Sequence, residues 1–250
     1  MAVDVVPQLN ERISVSYTKY SMRDRELQRI TNKIRDGTAT LKDGHEYAKR
    51  VGQHLSEALC ENLMSETLPD GRLYYNIANR TVLPHLMDNY ELVNEIDSAI
   101  QAEIDNAQNI HIKAVKADFP EERVKGLIDK MTAENIELEE ARAWLAEPII
   151  NNVQAFHDDY IRKNAGFRES IGLKAVIIRE ASSNCCDWCA NLEGVYDYSS
   201  APKEIYTRHE FCRCDVTYQT ERKSQNVWSK TSWESSQDEI NKRINYGMEE

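Results

Sequence analysis

Apolar side chains recur along the first 165 residues at the three-and-four spacing of helices that bury one face. Leu27, Ile30 and Ile34 make such a stripe over residues 23–35, and Asp36-Gly37 is a stop signal. Thr40 is placed to cap a second helix that runs to about Met64. There Tyr47, Val51, Leu55 and Leu59 step by four, while Ala48, Ala58 and Leu63 widen the stripe. Pro69-Asp70-Gly71 reads as a turn. Residues 72–83 fit either period, since Tyr74, Tyr75, Ile77 and Val82 satisfy both. Beyond Pro84, the spacing of Leu92, Ile96, Ile100 and Ile104 predicts a helix over residues 89–106. Pro120 suits the first position of another helix, with Asp118 as a nearby cap and Val124, Leu127, Ile128 and Met131 as its inner face. Residues 139–165 continue the helical pattern, divided at Pro148.

The pattern changes at Gly172. Residues 173–179, LKAVIIR, are rich in β-branched side chains and carry no helical stripe, so they predict a strand; residues 195–198 and 214–218 predict two more short ones. After Glu221 the chain is polar and rich in Ser and Gln, with Trp228 and Trp233 isolated in it, and reads as an extended tail. The fold class expected is α+β: a mainly α-helical part over residues 1–150, a small stapled module with short β-strands over residues 151–220, and a polar tail over residues 221–250.

Composition narrows the class of protein. Nine glycines and six prolines in 250 residues are too few for an all-β chain. The longest apolar runs, such as residues 175–178, are four residues, far short of the ~20 that cross a bilayer, so no membrane partner is expected. The first residues, MAVDVVPQLNERISV, have neither a basic stretch nor an apolar one, which predicts no secretory signal and a reducing cytoplasm. A net charge of −11 argues against general nucleic-acid binding, because phosphate contacts need a clustered positive surface. That charge is uneven: residues 1–160 carry a net −10, residues 161–230 a net +2 and residues 231–250 a net −3. Five of the six cysteines fall in the middle segment, leaving Cys60 as a buried apolar position on a helix.

Those cysteines form a pattern. Cys186 and Cys189 make a C-x2-C turn, and after nineteen residues His209 and Cys212 make H-x2-C, with Cys185 and Cys214 flanking. Paired tight turns of this kind present soft ligands to the edges of a tetrahedron, so a structural zinc ion is the expected cofactor. Cys214 can take the place of Cys212, which leaves Cys186, Cys189, His209, Cys212 and Cys214 as candidate ligands. A disulfide pair and unligated thiols are the alternatives. A catalytic metal, with Asp187 or Glu210 as base, is another, but the H-x-E and H-E-x-x-H signatures are absent. No catalytic residue is assigned. His157-Asp158-Asp159 reads as a solvated helix face, and His45, His54, His85 and His111 as surface or capping residues. Glu134, Glu137, Glu139 and Glu140 read as a solvated helix surface, and Arg208, Arg213 and Arg222 as exposed.

The runs CCDWCANLEGVYDY and RHEFCRCDVTY resemble the carboxy-terminal motif of the phage Mu F-like minor head proteins, also called phage head morphogenesis proteins. The matching positions are Cys186 and Cys189, Leu192 and Gly194, then His209, Cys212, Arg213 and Cys214, and the similarity covers about residues 150–220. The resemblance implies a non-enzymatic virion protein of a tailed phage or prophage. It would be made in the host cytoplasm and lie inside the capsid near the portal, assisting assembly or DNA delivery. The implied partners are the portal and the major capsid protein, with packaged DNA touched through a few arginines, and several copies in one assembly. The reading from a different class is a metal-dependent nuclease or hydrolase that uses the Cys/His cluster.

Overall fold

The computed structural model describes residues 4–221, and the expected polar tail, with Arg222, Trp228 and Trp233, lies outside the described residues. The helices are α1 (Val6–Arg23), α2 (Arg25–Arg35), α3 (Leu41–Asn62), α4 (Tyr75–Ala107), α5 (Glu121–Met131), α6 (Leu138–Leu145), α7 (Glu147–Ser170) and the short α8 (Asp187–Asn191). The strands β1 (Lys174–Glu180), β2 (Gly194–Asp197) and β3 (Asp215–Glu221) form one antiparallel sheet with β1 in the centre. The chain is thus α+β, with most of its helices before the sheet.

Local chemistry explains most boundaries. Thr40 and Asp43 cap α3 reciprocally, each side chain bonding the other's backbone N–H. Asp24 accepts from the backbone N–H groups of Glu26 and Leu27 and so starts α2. Pro69-Asp70-Gly71 is a tight turn, as its residues imply. The expected inner face of α5, Val124, Leu127, Ile128 and Met131, is buried, although Pro120 sits at the cap just ahead of the helix and Asp118 pairs with Lys163 instead of capping.

Two helices differ from expectation. No helix was expected over residues 6–23, yet α1 forms there and buries Val6, Leu9 and Ile13. The helix expected from residue 89 starts at Tyr75 and runs straight through Pro84. A proline inside a helix leaves the carbonyl four residues earlier without its donor. Here that carbonyl, of Arg80, accepts from the Asn10 side chain of α1 at 3.0 Å, so the unexpected helix supplies the bond that the proline removes.

Helix α7 organises the core. Its first half places Ile149, Val153 and Phe156 among the apolar side chains of α1, α3 and α4, and its second half places Tyr160, Ile161 and Ala165 against Ala175 and Ile177 of β1 and Val216 and Tyr218 of β3. The position expected as a domain boundary, residue 150, falls inside α7. Close approach of α3 to this helix needs glycine. A side chain at Gly52 would stand 3.0 Å from the Val153 side chain and 3.3 Å from the Ile150 backbone.

The histidines and acids of this interior correct the expectation of a solvated face. His157 and Asp97 are both fully buried, with His157 Nδ1 2.9 Å from Asp97 Oδ2 and its Nε2 3.2 Å from the Val216 carbonyl of β3. Asp158 takes Arg208 in two hydrogen bonds of 2.5 and 2.7 Å, and His45 pairs with Asp215 while accepting from Gln154 at 3.2 Å. Arg213 pairs with Glu147 at 2.5 Å. Arg208 is therefore drawn into the interior and Arg213 is half-buried against Glu147, where both were expected to be exposed. Neighbouring residues on a helix do point in different directions, but at this place both directions are interior. Glu134, Glu137, Glu139 and Glu140 are exposed as expected.

Burial disfavours the charged His157, yet the Asp97 carboxylate beside it outweighs that cost and holds the imidazole's pKa above its ordinary value; burial raises that of Asp97 as well. Both members bind a proton more tightly folded than unfolded. The contribution of His157 is therefore complete below the ordinary histidine value and is lost as pH rises through the raised one. Asp97→Asn leaves His157 buried without its counter-charge, and urea unfolding in mildly acidic buffer should show a loss of about 3–5 kcal/mol. The same variant, titrated toward alkaline pH, should lack the decline in stability that the native chain shows.

Candidate metal centre

The sheet carries the cysteine module on one end. Successive strand residues alternate faces, so Ala175, Ile177 and Arg179 of β1 all point inward and are buried. Pairing of Arg179 with Gly194 of β2 and with Val216 of β3 places that arginine between the two cysteine turns.

The first turn is the start of α8. Cys186 occupies its cap position, the Cys186 carbonyl accepts from the Ala190 N–H at 3.0 Å, and Cys189 is buried one turn in. The second turn closes when the Cys212 N–H donates to the His209 carbonyl at 3.1 Å, with Phe211 in the left-handed region at φ 59°. Asn151 of α7 donates to the same carbonyl at 3.1 Å and ties this turn to the helical body. The two turns repeat one pattern, Cys186-Asp187-Trp188-Cys189 and His209-Glu210-Phe211-Cys212, and both aromatics are exposed.

The structure brings the five candidate ligands together around Cys189. Cys186, Cys189 and His209 have donor atoms within 4.8 Å of one another, and so do Cys189, Cys212 and Cys214. His209 Nε2 lies 3.2 Å from Cys186 Sγ and 3.0 Å from Cys189 Sγ, and Cys189 Sγ lies 3.8 Å from Cys212 Sγ. The other ring nitrogen, Nδ1, is 2.6 Å from the Glu210 carbonyl; it donates there, which leaves Nε2 free to give its lone pair to an ion. This Cys/His cluster can hold a metal ion. Cys185 is half-buried outside both groups, and Cys60 is half-buried against the helical core.

Sequence reasoning missed Arg179. Its guanidinium is buried, with Nη2 3.5 Å from Cys189 Sγ and 4.0 Å from Cys212 Sγ, and its remaining hydrogen bonds go to the Ile205 and Thr207 carbonyls of the segment leading to His209. Trp188 covers it, its ring 5.7 Å from the guanidinium carbon and edge-on to the His209 ring at 6.0 Å. The available signal was the inward phase of the strand, which an arginine occupies. Burial pushes the Cys189 thiol up to about 12. Burial also acts upward on Cys214, but hydrogen bonds from the Ser182 backbone and the Cys189 side chain outweigh it and hold that thiol below its ordinary value.

A cleft of about 850 Å³ lies between α5 and α7. Arg123, Asn152, Arg162 and Lys203 line it, and His209 and Glu210 form its end; no cysteine reaches its wall. Of the candidate ligands, His209 alone lines the cleft.

Because Cys189 belongs to both donor groups, Cys189→Ser should remove bound metal almost completely, whereas Cys60→Ser should leave it unchanged; elemental analysis of the purified full chain measures both. No family model, no curated protein and no solved structure matches this chain.

Proposed function

We propose that this chain is a minor capsid protein of a tailed phage or prophage, of the Mu F-like head morphogenesis kind, in which a structural zinc ion staples the small sheet to a helical body. The observation that carries the reading is the closure of the cysteine-rich turns on one another. Two sulfurs at about 2.3 Å from zinc stand about 3.8 Å apart on a tetrahedral edge, and a sulfur and an imidazole nitrogen about 3.5 Å apart. The separations of 3.8 Å and of 3.0–3.2 Å fit that edge and approach that of the nitrogen pair. Sulfur-rich donors favour zinc over magnesium or calcium, and closed sets of this type serve structure. Zinc would supply on the order of 10–16 kcal/mol to a module with three short strands.

The role is supported by the resemblance of the motif, and the stapled construction is compatible with it. The surface of the helical part is acidic, which keeps a protein lying beside packaged DNA from condensing on it. Portal and major capsid proteins are the proposed partners and the capsid interior the proposed location, with several copies per particle. With Arg208 and Arg213 engaged internally, contact with DNA is a minor part of the reading.

The nuclease or hydrolase reading is favoured by one observation, the cleft that ends at His209 with Arg123, Arg162 and Lys203 along it. It requires the ion to open onto that cleft, which no sulfur donor lines. Purified heads separated from soluble lysate should carry this chain, at a low fixed ratio to the major capsid protein by mass spectrometry, and the isolated chain should contain about one zinc, one tetrahedral site's worth. Absence from heads, or cleavage of plasmid DNA in Mg²⁺ or Zn²⁺ that His209→Ala abolishes in a folded protein, would overturn the proposal.

A further inference from the structure

Arg179 has no carboxylate partner among the described residues, although its side chain is buried at 1% exposure. Arg168, the other fully buried arginine among the described residues, shows what an interior guanidinium ordinarily receives: it meets Asp105 at 2.6 Å and the Tyr218 hydroxyl at 2.8 Å. An arginine stays protonated in any protein interior, and an isolated buried charge is very costly. Among the described residues the groups within its hydrogen-bonding reach that can become anions are the sulfurs of Cys189 and Cys212, and a sulfur carries a full negative charge when it ligates a metal.

We infer that Arg179 is the fixed counter-charge of the metal centre, a positioning residue that holds the Cys189 and Cys212 thiolates and the segment ahead of His209 in one geometry. The inference rests on the metal reading above and adds to it the charge balance. A zinc dication with three thiolates and one imidazole carries a net −1, which one guanidinium neutralises. Its fork spans both sides: Nη2 reaches the sulfurs and the Thr207 carbonyl while Nη1 bonds the Ile205 and Thr207 carbonyls, so the first turn and the approach to the second are held by one rigid planar group. Trp188 stacked over it shields the group from water.

The test compares Arg179→Met, which fills similar space without charge, with Arg179→Lys, which keeps the charge without the fork. Zinc affinity of the full chain is read by competition with a chromophoric chelator. Loss of an outer-shell partner typically costs 10–100-fold in metal affinity, and Arg179→Met should fall in that range with Arg179→Lys recovering part of it. Binding by Arg179→Met equal to or tighter than by Arg179→Lys would mean that the residue only fills space, and overturns the inference. A measurement on the native chain stands independent of folding in the variants. With ¹¹³Cd in place of zinc and ¹⁵N-labelled arginine, a correlation from the metal through sulfur to an arginine side-chain proton is expected. Its absence, with cadmium bound and the arginine resonances visible, also overturns the inference. A native chain that binds neither zinc nor cadmium refutes the metal reading itself, and the charge balance falls with it.

Discussion

The ion pair of His157 with Asp97 is the contact on which the arrangement turns. It joins α7 to α4 with both side chains removed from water, and the remaining ring nitrogen reaches the backbone of β3. One imidazole thereby fixes two helices and a strand that come from positions about sixty residues apart in each direction. Asp158, the next residue, holds Arg208, which in turn donates to the Cys214 carbonyl at 3.2 Å. The cysteine turns are therefore positioned from the interior outward, through charged groups that burial makes strong and that cost heavily if one partner is lost.

The parts of the fold that local pattern determines were legible. The stripe of α3, its Thr40 cap, the inner face of α5 and the β-branched run of β1 are each specified by residues within one or two turns of each other. The same holds for the two cysteine turns, since donor spacing is a local property. What escaped were groups whose partners are remote. Asp97 and Arg208 explain His157 and Asp158, but they stand 60 and 50 residues from them, so the polar residues of α7 looked like a wetted surface. Likewise the helix expected only beyond Pro84 runs through it, because Asn10, seventy residues from the Arg80 carbonyl it serves, replaces the lost bond. Arg179 combines both lessons: its strand was visible, while the sulfurs that justify a cation in the inward register lie 10 and 33 residues on.

Charge is distributed to match. The helical surface is acidic, yet along the cleft Arg123 and Arg162 share the single carboxylate of Asp159, at 2.9 and 3.0 Å, which leaves an excess of positive charge there. That local excess joins Arg123 of the acidic segment to Arg162 of the near-neutral one, and no cysteine lines the cleft where it lies.

The dependence of α7 on β3 has a consequence for the order in which the molecule is made. Synthesis releases α3, α4 and α7 before the strand that completes them. Until residue 216 emerges, His157 has no carbonyl for its second nitrogen, Asp158 has no Arg208 and His45 has no Asp215. At roughly 5–20 residues per second the delay is a matter of seconds, during which water must occupy those places. The helical body is thus a late product of its own chain, closed only when the carboxy-terminal strand arrives.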